Sequence, residues 1–172
     1  EKPDMGVFMQ EWKSLYDSKS GERGLFNRLG AIQKMKKTGR RDWAKYEAMT
    51  GGANPCCEIF LRSAGFCNLT EVVIRSEDTL DDILRKVEFA SIMGTFQASL
   101  TNFRYLRSVW RTNAEEERLI GVSLTGIMDH PVLSNVSDET AKWLDAMREK
   151  VIAVNQVWAD KLGINAAAAT TC

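Results

Sequence analysis

Asn54-Pro55-Cys56-Cys57-Glu58-Ile59 is the stretch on which the reading of this chain turns, and Phe66-Cys67-Asn68-Leu69 follows it closely. In an extended segment successive side chains point to opposite faces, so Asn54, Cys56 and Glu58 are expected on one side of a short ribbon. That row sets an amide, a thiol and a carboxyl together, an unusual trio for a strand that only packs. Pro55 cannot donate to a ladder and favours an extended Asn54 before it, which suits an exposed loop or strand edge. A thiol beside a carboxylate, with the second thiol of Cys67 nearby, can run redox and proton-transfer chemistry on one small substrate. A free cysteine by itself is most often a small buried hydrophobe. The company of Asn54, Glu58 and Cys67 lifts Cys56 above that.

Working outward, Thr50-Gly51-Gly52-Ala53 opens the segment, its glycines permitting unusual backbone angles. Residues 56–61 and 67–74 read as short extended stretches around a Ser63-Ala64-Gly65 turn, the second rich in β-formers. Upstream, Phe8, Met9, Trp12, Leu15 and Tyr16 recur at helical spacing after a cap at Asp4. Residues 25–37 form a second expected helix that closes at Gly39. The basic run at residues 34–41 has no interleaved aromatic, so it is expected to be a solvated helix end and not a nucleic-acid patch.

Downstream, a helical tract from Leu80 shows a face of apolar and small residues, among them Ile83, Val87, Ala90 and Gly94. Residues 103–118 are expected to continue as helix, with the charged end Glu115-Glu116-Glu117-Arg118 solvated. Residues 120–127 are the clearest buried strand. Ser137 begins a last helix that Gly163 ends, with Met147, Val151, Val154 and Trp158 as its core stripe. Strands separated by long helices indicate an α/β fold in a single domain.

Composition narrows the function classes. Lys plus Arg and Asp plus Glu both number 23, so nothing in the charge balance draws the chain to nucleic acid or to an anionic membrane. No apolar run approaches a membrane span and no signal-like segment opens the chain, so a cytoplasmic location is expected. The cysteines lack a Cys-x-x-Cys pair and His130 is the sole histidine, which is poor zinc geometry. No metal site is expected, and redox or radical use of one or two thiols is the better account. His130, in the turn-like Asp129-His130-Pro131, is expected at the surface or hydrogen-bonded and not as a ligand. Ser123 and Thr125 on the buried strand either approach a substrate or satisfy backbone groups.

The pattern Asn-Pro-Cys-x-Glu-Ile at residues 54–59, with Phe66-Cys67-Asn68-Leu69 after it, resembles the active-site finger of the large catalytic chain of ribonucleotide reductases. Proline between Asn54 and Cys56 leans toward the adenosylcobalamin-dependent, class II branch. Ser20-Gly21-Glu22-Arg23-Gly24-Leu25-Phe26-Asn27 is similar to the segment that leads into that finger, and residues 119–127 to a later barrel strand. Ala169-Thr170-Thr171-Cys172 resembles the residues just before the family's Pro-Ser-Gly-Thr phosphate loop.

This resemblance implies a ten-stranded α/β barrel with a central finger loop. Residues 1–172 would form one partial catalytic domain, an interior piece of a longer chain. The implied activity is reduction of ribonucleoside triphosphates to 2′-deoxyribonucleotides by a thiyl radical, for DNA synthesis. Cys56 would carry the radical that abstracts the ribose 3′-hydrogen. Glu58 would take the 3′-hydroxyl proton, Asn54 would hold the sugar hydroxyls, and Cys67 would be one of two thiols that reduce the 2′ carbon. The implied cofactor is adenosylcobalamin and the implied reductant a thioredoxin-like dithiol; the cobalamin-binding residues, the phosphate loop and the partner of Cys67 lie elsewhere. Cys57 departs from the family pattern, which has Gly or another small residue there, and on an alternating ribbon it would face away from Cys56 and pack. Cys172 is expected to be incidental. Three alternatives stay open: the large subunit of a metal-dependent class I reductase, a thiol redox or binding module unrelated to nucleotides, and an α/β structural piece whose motif is a coincidence.

Overall fold

The computed structural model describes residues 3–21, 24–39, 41 and 51–171. Helix α1 (Met5–Ser18) starts where the Asp4 carboxylate accepts from the amides of Gly6 and Val7. Helix α2 (Arg28–Thr38) starts where Asn27 accepts from Gly30, and it closes on Gly39 at φ 64°. Each cap satisfies donors that a first helical turn leaves without an intrahelical partner. A hairpin follows, β1 (Gly51–Ala53) and β2 (Phe60–Arg62).

The core is built on a parallel sheet. Strands β3 (Asn68–Val73), β4 (Ile120–Thr125) and β5 (Thr170–Thr171) lie in the order β3-β4-β5, Asn68 opposite Ile120 and Ile120 opposite Thr170. Parallel neighbours need long crossovers. The first holds α3 (Leu80–Ser99) and α4 (Ser108–Glu117); the second holds a short 3-10 turn (Ile127–Asp129) and α5 (Asp138–Leu162). Helix α3 opens with a capping box between Thr79 and Asp82, and it packs on β3, β4 and α5. Ile120 and Val122 point into the core while Ser123 and Thr125 are exposed, the alternation that a strand dictates. Val72, Ile74, Ile83, Val87, Met147 and Val151 complete the same cluster. Gly126 ends β4 at φ 80°, and a Cβ there would sit 2.3 Å from the Ile74 carbonyl oxygen, so only glycine fits.

A polar bridge crosses this core. Asn155 Nδ2 donates to Thr95 Oγ1 at 2.9 Å, and Asn155 Oδ1 accepts the Ala167 amide at 2.8 Å. The bridge ties α3 and α5 to the turn that leads into β5. Buried polar groups of this kind stay only when partnered.

Two expectations fail here. Residues 100–107 are not helical, and helix resumes only at Ser108. Phe103 and Trp110 close on the Phe66 ring, at centroid distances of 5.1 and 5.8 Å, and this aromatic packing overrides helix propensity in the break. The Glu115–Arg118 end is solvated only in part, because Glu116 is exposed whereas Glu117 and Arg118 are buried. The described strands form a two-stranded and a three-stranded sheet without closing into a barrel, and β3 keeps one free edge among the described residues.

Candidate active site

Strands β1 and β2 pair antiparallel, Ala53 opposite Phe60, so residues 54–59 become the tip of a hairpin. The alternating ribbon expected for Asn54, Cys56 and Glu58 does not form. Pro55 occupies the first corner of a turn, the Cys57 amide donates to the Asn54 carbonyl at 2.9 Å, and the Asn54 amide donates to the Ile59 carbonyl at 3.2 Å. Proline's fixed φ serves a turn corner as well as an extended segment, and the closing hydrogen bonds decide for the turn. Gly51 lets the two strands close: a Cβ there would lie 2.7 Å from the Leu61 carbonyl oxygen and 2.8 Å from the Phe60 ring.

The turn brings the amide and the acid together by another route. Asn54 Nδ2 donates to Glu58 Oε1 at 2.5 Å, while Asn54 Oδ1 accepts the Ile59 amide at 3.3 Å. One side chain thus closes the turn and orients the carboxylate. Cys56 stands exposed at the tip. An open cavity of about 830 Å³ lies beside it, with Cys57, Glu58, Phe60, Lys34, Arg148 and Thr170 in its wall, whereas Cys56 is not among the wall residues.

Cys57 does not pack away as expected. It is exposed, lines the cavity, and holds φ at 63°, the left-handed region where a Cβ is costly. That angle is the physical reason a glycine suits this position. Cys57→Gly is expected to stabilise the chain by up to about 1 kcal/mol, the relief of left-handed strain less the extra chain entropy of glycine. A urea titration reads this as a raised midpoint at constant slope, and a lowered midpoint would mean the thiol itself holds the tip.

Cys67 lies beyond β2, half-buried, its Sγ 3.9 Å from the Asn68 carbonyl oxygen. Burial pushes its thiol up to about 12, with the Glu58 charge adding to the rise and Arg41 opposing it. The acid at the tip and the second thiol therefore share one electrostatic neighbourhood. Cys67 is a neutral S–H at physiological pH, a hydrogen donor more than a nucleophile. Alkylation of Cys67 by iodoacetamide in the folded protein is expected to rise about tenfold per pH unit from pH 8 to 11. A plateau near pH 9 would contradict the burial. The linked sign follows: an unfolded thiol gives up its proton near 9.0 and the folded one near 12, so this contribution to stability is complete below pH 9 and lost as pH climbs through 12.

Sequence patterning missed what anchors the hairpin. Arg41, from the run expected to be solvated, is buried, and its Nη2 lies 2.8 Å from Glu117 Oε1 with both side chains 5% exposed. Arg62 of β2 reaches Asn113 Oδ1 at 3.0 Å and Glu116 Oε2 at 2.7 Å. Nothing in local spacing signals pairings that are this distant along the chain.

Other candidates fall away from the site. His130 is buried, Nε2 against the Asp78 carbonyl at 2.9 Å and Nδ1 accepting from the amides of Val132 and Leu133. It is a hydrogen-bonded structural histidine, not a surface one. Ser123 and Thr125 are exposed and do not line the cavity. Trp158 is half-buried, with Lys161 Nζ 4.5 Å from its ring centroid. Cys172 lies outside the described residues. Among the described residues, no helix is long and apolar enough to cross a membrane, and no group of three His, Cys, Asp or Glu side chains could hold a metal ion.

The chain is 28% identical to an adenosylcobalamin-dependent ribonucleoside-triphosphate reductase of Lactobacillus helveticus (strain DPC 4571). That relative is a ribonucleotide reductase. The similarity covers 66% of this chain and 18% of the relative, so the chain spans less than a fifth of the relative's length. No protein-family model and no solved structure matches the chain.

Proposed function

We propose that this chain is part of the catalytic domain of an adenosylcobalamin-dependent ribonucleoside-triphosphate reductase, in which the β1–β2 hairpin presents Cys56 to the ribose of the substrate. The observation that carries this is the hairpin tip: an exposed Cys56 thiol two residues before a carboxylate that the Asn54 amide holds in place, on a turn whose next residues, Cys57 and Glu58, line an open cavity. A thiol buried among aliphatic groups would be closed to radical transfer, and Cys56 is open to it. Adenosylcobalamin, when bound, supplies the one-electron chemistry that takes the hydrogen atom from a thiol.

The steps assigned to this chain follow from its side chains. The Cys56 thiyl takes the ribose 3′-hydrogen, a reversible exchange because S–H and ribose C–H bonds are close in strength. Glu58 accepts the 3′-hydroxyl proton as general base, oriented by Asn54. The 2′-hydroxyl leaves as water. Cys67, kept protonated by burial, and a second thiol outside this chain together supply two electrons and two protons and end as a disulfide. Exchange with a thioredoxin-like dithiol resets the pair.

Lys34, Lys37 and Arg148 in the cavity wall suit a triphosphate, set against the carboxylates of Glu58 and Asp145. The parallel order β3-β4-β5 suits one side of a ten-stranded barrel. The free edge of β3, flanked by exposed Leu69, Phe89, Met93 and Phe96, suits further strands of such a barrel. Deoxyribonucleotide supply goes with action in the cytoplasm.

The test supplies the complete protein with each ribonucleoside triphosphate and a dithiol. Deoxynucleotide is expected only when adenosylcobalamin is added. Product formed with a radical-generating metal subunit in its place would move the protein to the metal-dependent class. No product under either condition would reject the reductase reading and favour a thiol switch.

A further inference from the structure

We infer that Glu117 is a positioning residue that sets the attitude of the finger hairpin against the cavity wall. The inference rests on the reductase reading for its activity readout only. Glu117 is the last residue of α4, and its carboxylate serves two guanidinium groups at once. Oε1 accepts from Arg41 Nε at 3.0 Å and Nη2 at 2.8 Å, and Oε2 faces Arg62 Nε at 3.3 Å. Both arginines then grip the hairpin. Arg41 Nη1 donates to the Phe60 carbonyl at 2.7 Å, and Arg62 is itself the last residue of β2. Asn113, one turn earlier on α4, donates from Nδ2 to the carbonyls of Ser63 at 3.0 Å and Ala64 at 3.2 Å, and it accepts from Arg62 Nη1.

The backbone of the same residue holds the opposite side of the cavity. The Glu117 carbonyl accepts the Ala168 amide at 2.8 Å, and Ala168 to Thr170 line the cavity together with Ile59 and Phe60 of the hairpin. One residue therefore sets where the strand that carries the tip lies relative to the wall across from it. Glu117 touches no thiol in these contacts, so its role is to place reacting groups, not to react.

The chemistry demands a carboxylate of this length. Two guanidinium groups nearly excluded from water repel each other unless an anion sits between them, and here Oε1 takes both N–H groups of the Arg41 fork while Oε2 is left for Arg62. Glutamine keeps the shape but removes the negative charge that both arginines share, with Glu116 still paired to Arg62 at 2.7 Å, and aspartate falls a methylene short. A hairpin released from this anchor tilts its tip, and misplacement of about 1 Å is enough to cost about 100-fold in rate.

The experiment compares the complete protein with its Glu117→Gln and Glu117→Asp variants, and with Arg62→Lys, which keeps the charge but loses the fork. Three quantities are read: kcat and KM for ribonucleotide reduction, the rate of Cys56 alkylation by iodoacetamide, and the thermal midpoint. At temperatures where the variants remain folded, kcat is expected to fall roughly 10- to 100-fold with KM within about twofold. The Cys56 alkylation rate is expected to shift by severalfold in all three. If Glu117→Gln does not fold, Arg62→Lys decides. Unchanged alkylation and kcat in a folded variant would overturn the inference, as would a kcat that falls only in proportion to the folded fraction. If the wild-type protein reduces no ribonucleotide, the reductase reading fails by itself, and the alkylation comparison still decides the positioning role.

Discussion

Replacing Cys56 with Ser in the complete protein is expected to abolish ribonucleotide reduction, a loss of at least about 10⁴-fold. The substitution exchanges one atom. An O–H bond is much stronger than S–H, so the hydroxyl cannot carry the radical or return the hydrogen to the sugar. The fold should not notice. Cys56 is exposed on a turn closed by the backbones of Asn54, Cys57 and Ile59, and exposed substitutions away from special features typically fall within about 0.5 kcal/mol. A folded protein with an intact denaturation midpoint and no product is the expected pair of results. Product formation by the serine variant would remove Cys56 from the chemistry, and Cys57, the thiol in the cavity wall, would become the next residue to substitute.

Glu58→Gln is expected to lower kcat by about 10²- to 10⁴-fold, the usual contribution of a positioned general base. Glutamine keeps the size of glutamate, and its side-chain oxygen can still accept from Asn54 Nδ2, so the tip should hold its shape. It cannot take a proton. KM is expected to stay within a few-fold, which separates lost proton transfer from lost substrate binding. A second readout needs no activity. Glu58 is one of the charges that raises the Cys67 thiol to about 12, so its neutralisation is expected to lower that value and speed Cys67 alkylation at pH 9. An unchanged kcat would take the base role away from Glu58. Unchanged alkylation would show that the two groups do not share an environment.

Local signals carried much of the fold. Asp4, Ser137 and Gly163 mark helix ends where the sequence places them, since each makes its hydrogen bonds within a few residues. The apolar stripe of α3 and the β-rich runs of β3 and β4 were legible for the same reason: burial follows periodicity. The tip of the hairpin was not legible. Pro55 is compatible with an extended strand and with a turn corner, and only the pairing of β1 with β2 decides between them. The association of Asn54 with Glu58 could be anticipated from residue type, but it arises by turn closure and not by alternation. The anchor of Arg41, Arg62 and Glu117 left no trace in local pattern. Isolated charges read as solvated until the fold brings opposite signs together from distant segments. His130 was ambiguous for a related reason, because its partners, the Asp78 carbonyl among them, are backbone groups that carry no side-chain signature.

The most direct measurement follows the fate of the ribose 3′-hydrogen. Complete wild-type protein, supplied with a 3′-tritiated ribonucleoside triphosphate, adenosylcobalamin and a dithiol, is expected to form deoxynucleotide that keeps most of the tritium, because Cys56 returns the hydrogen it takes, with a minor part lost to water by exchange of the thiol; Cys56→Ser should release none. Loss of all the tritium to water, or any release that survives the loss of Cys56, would contradict the role assigned to the hairpin tip.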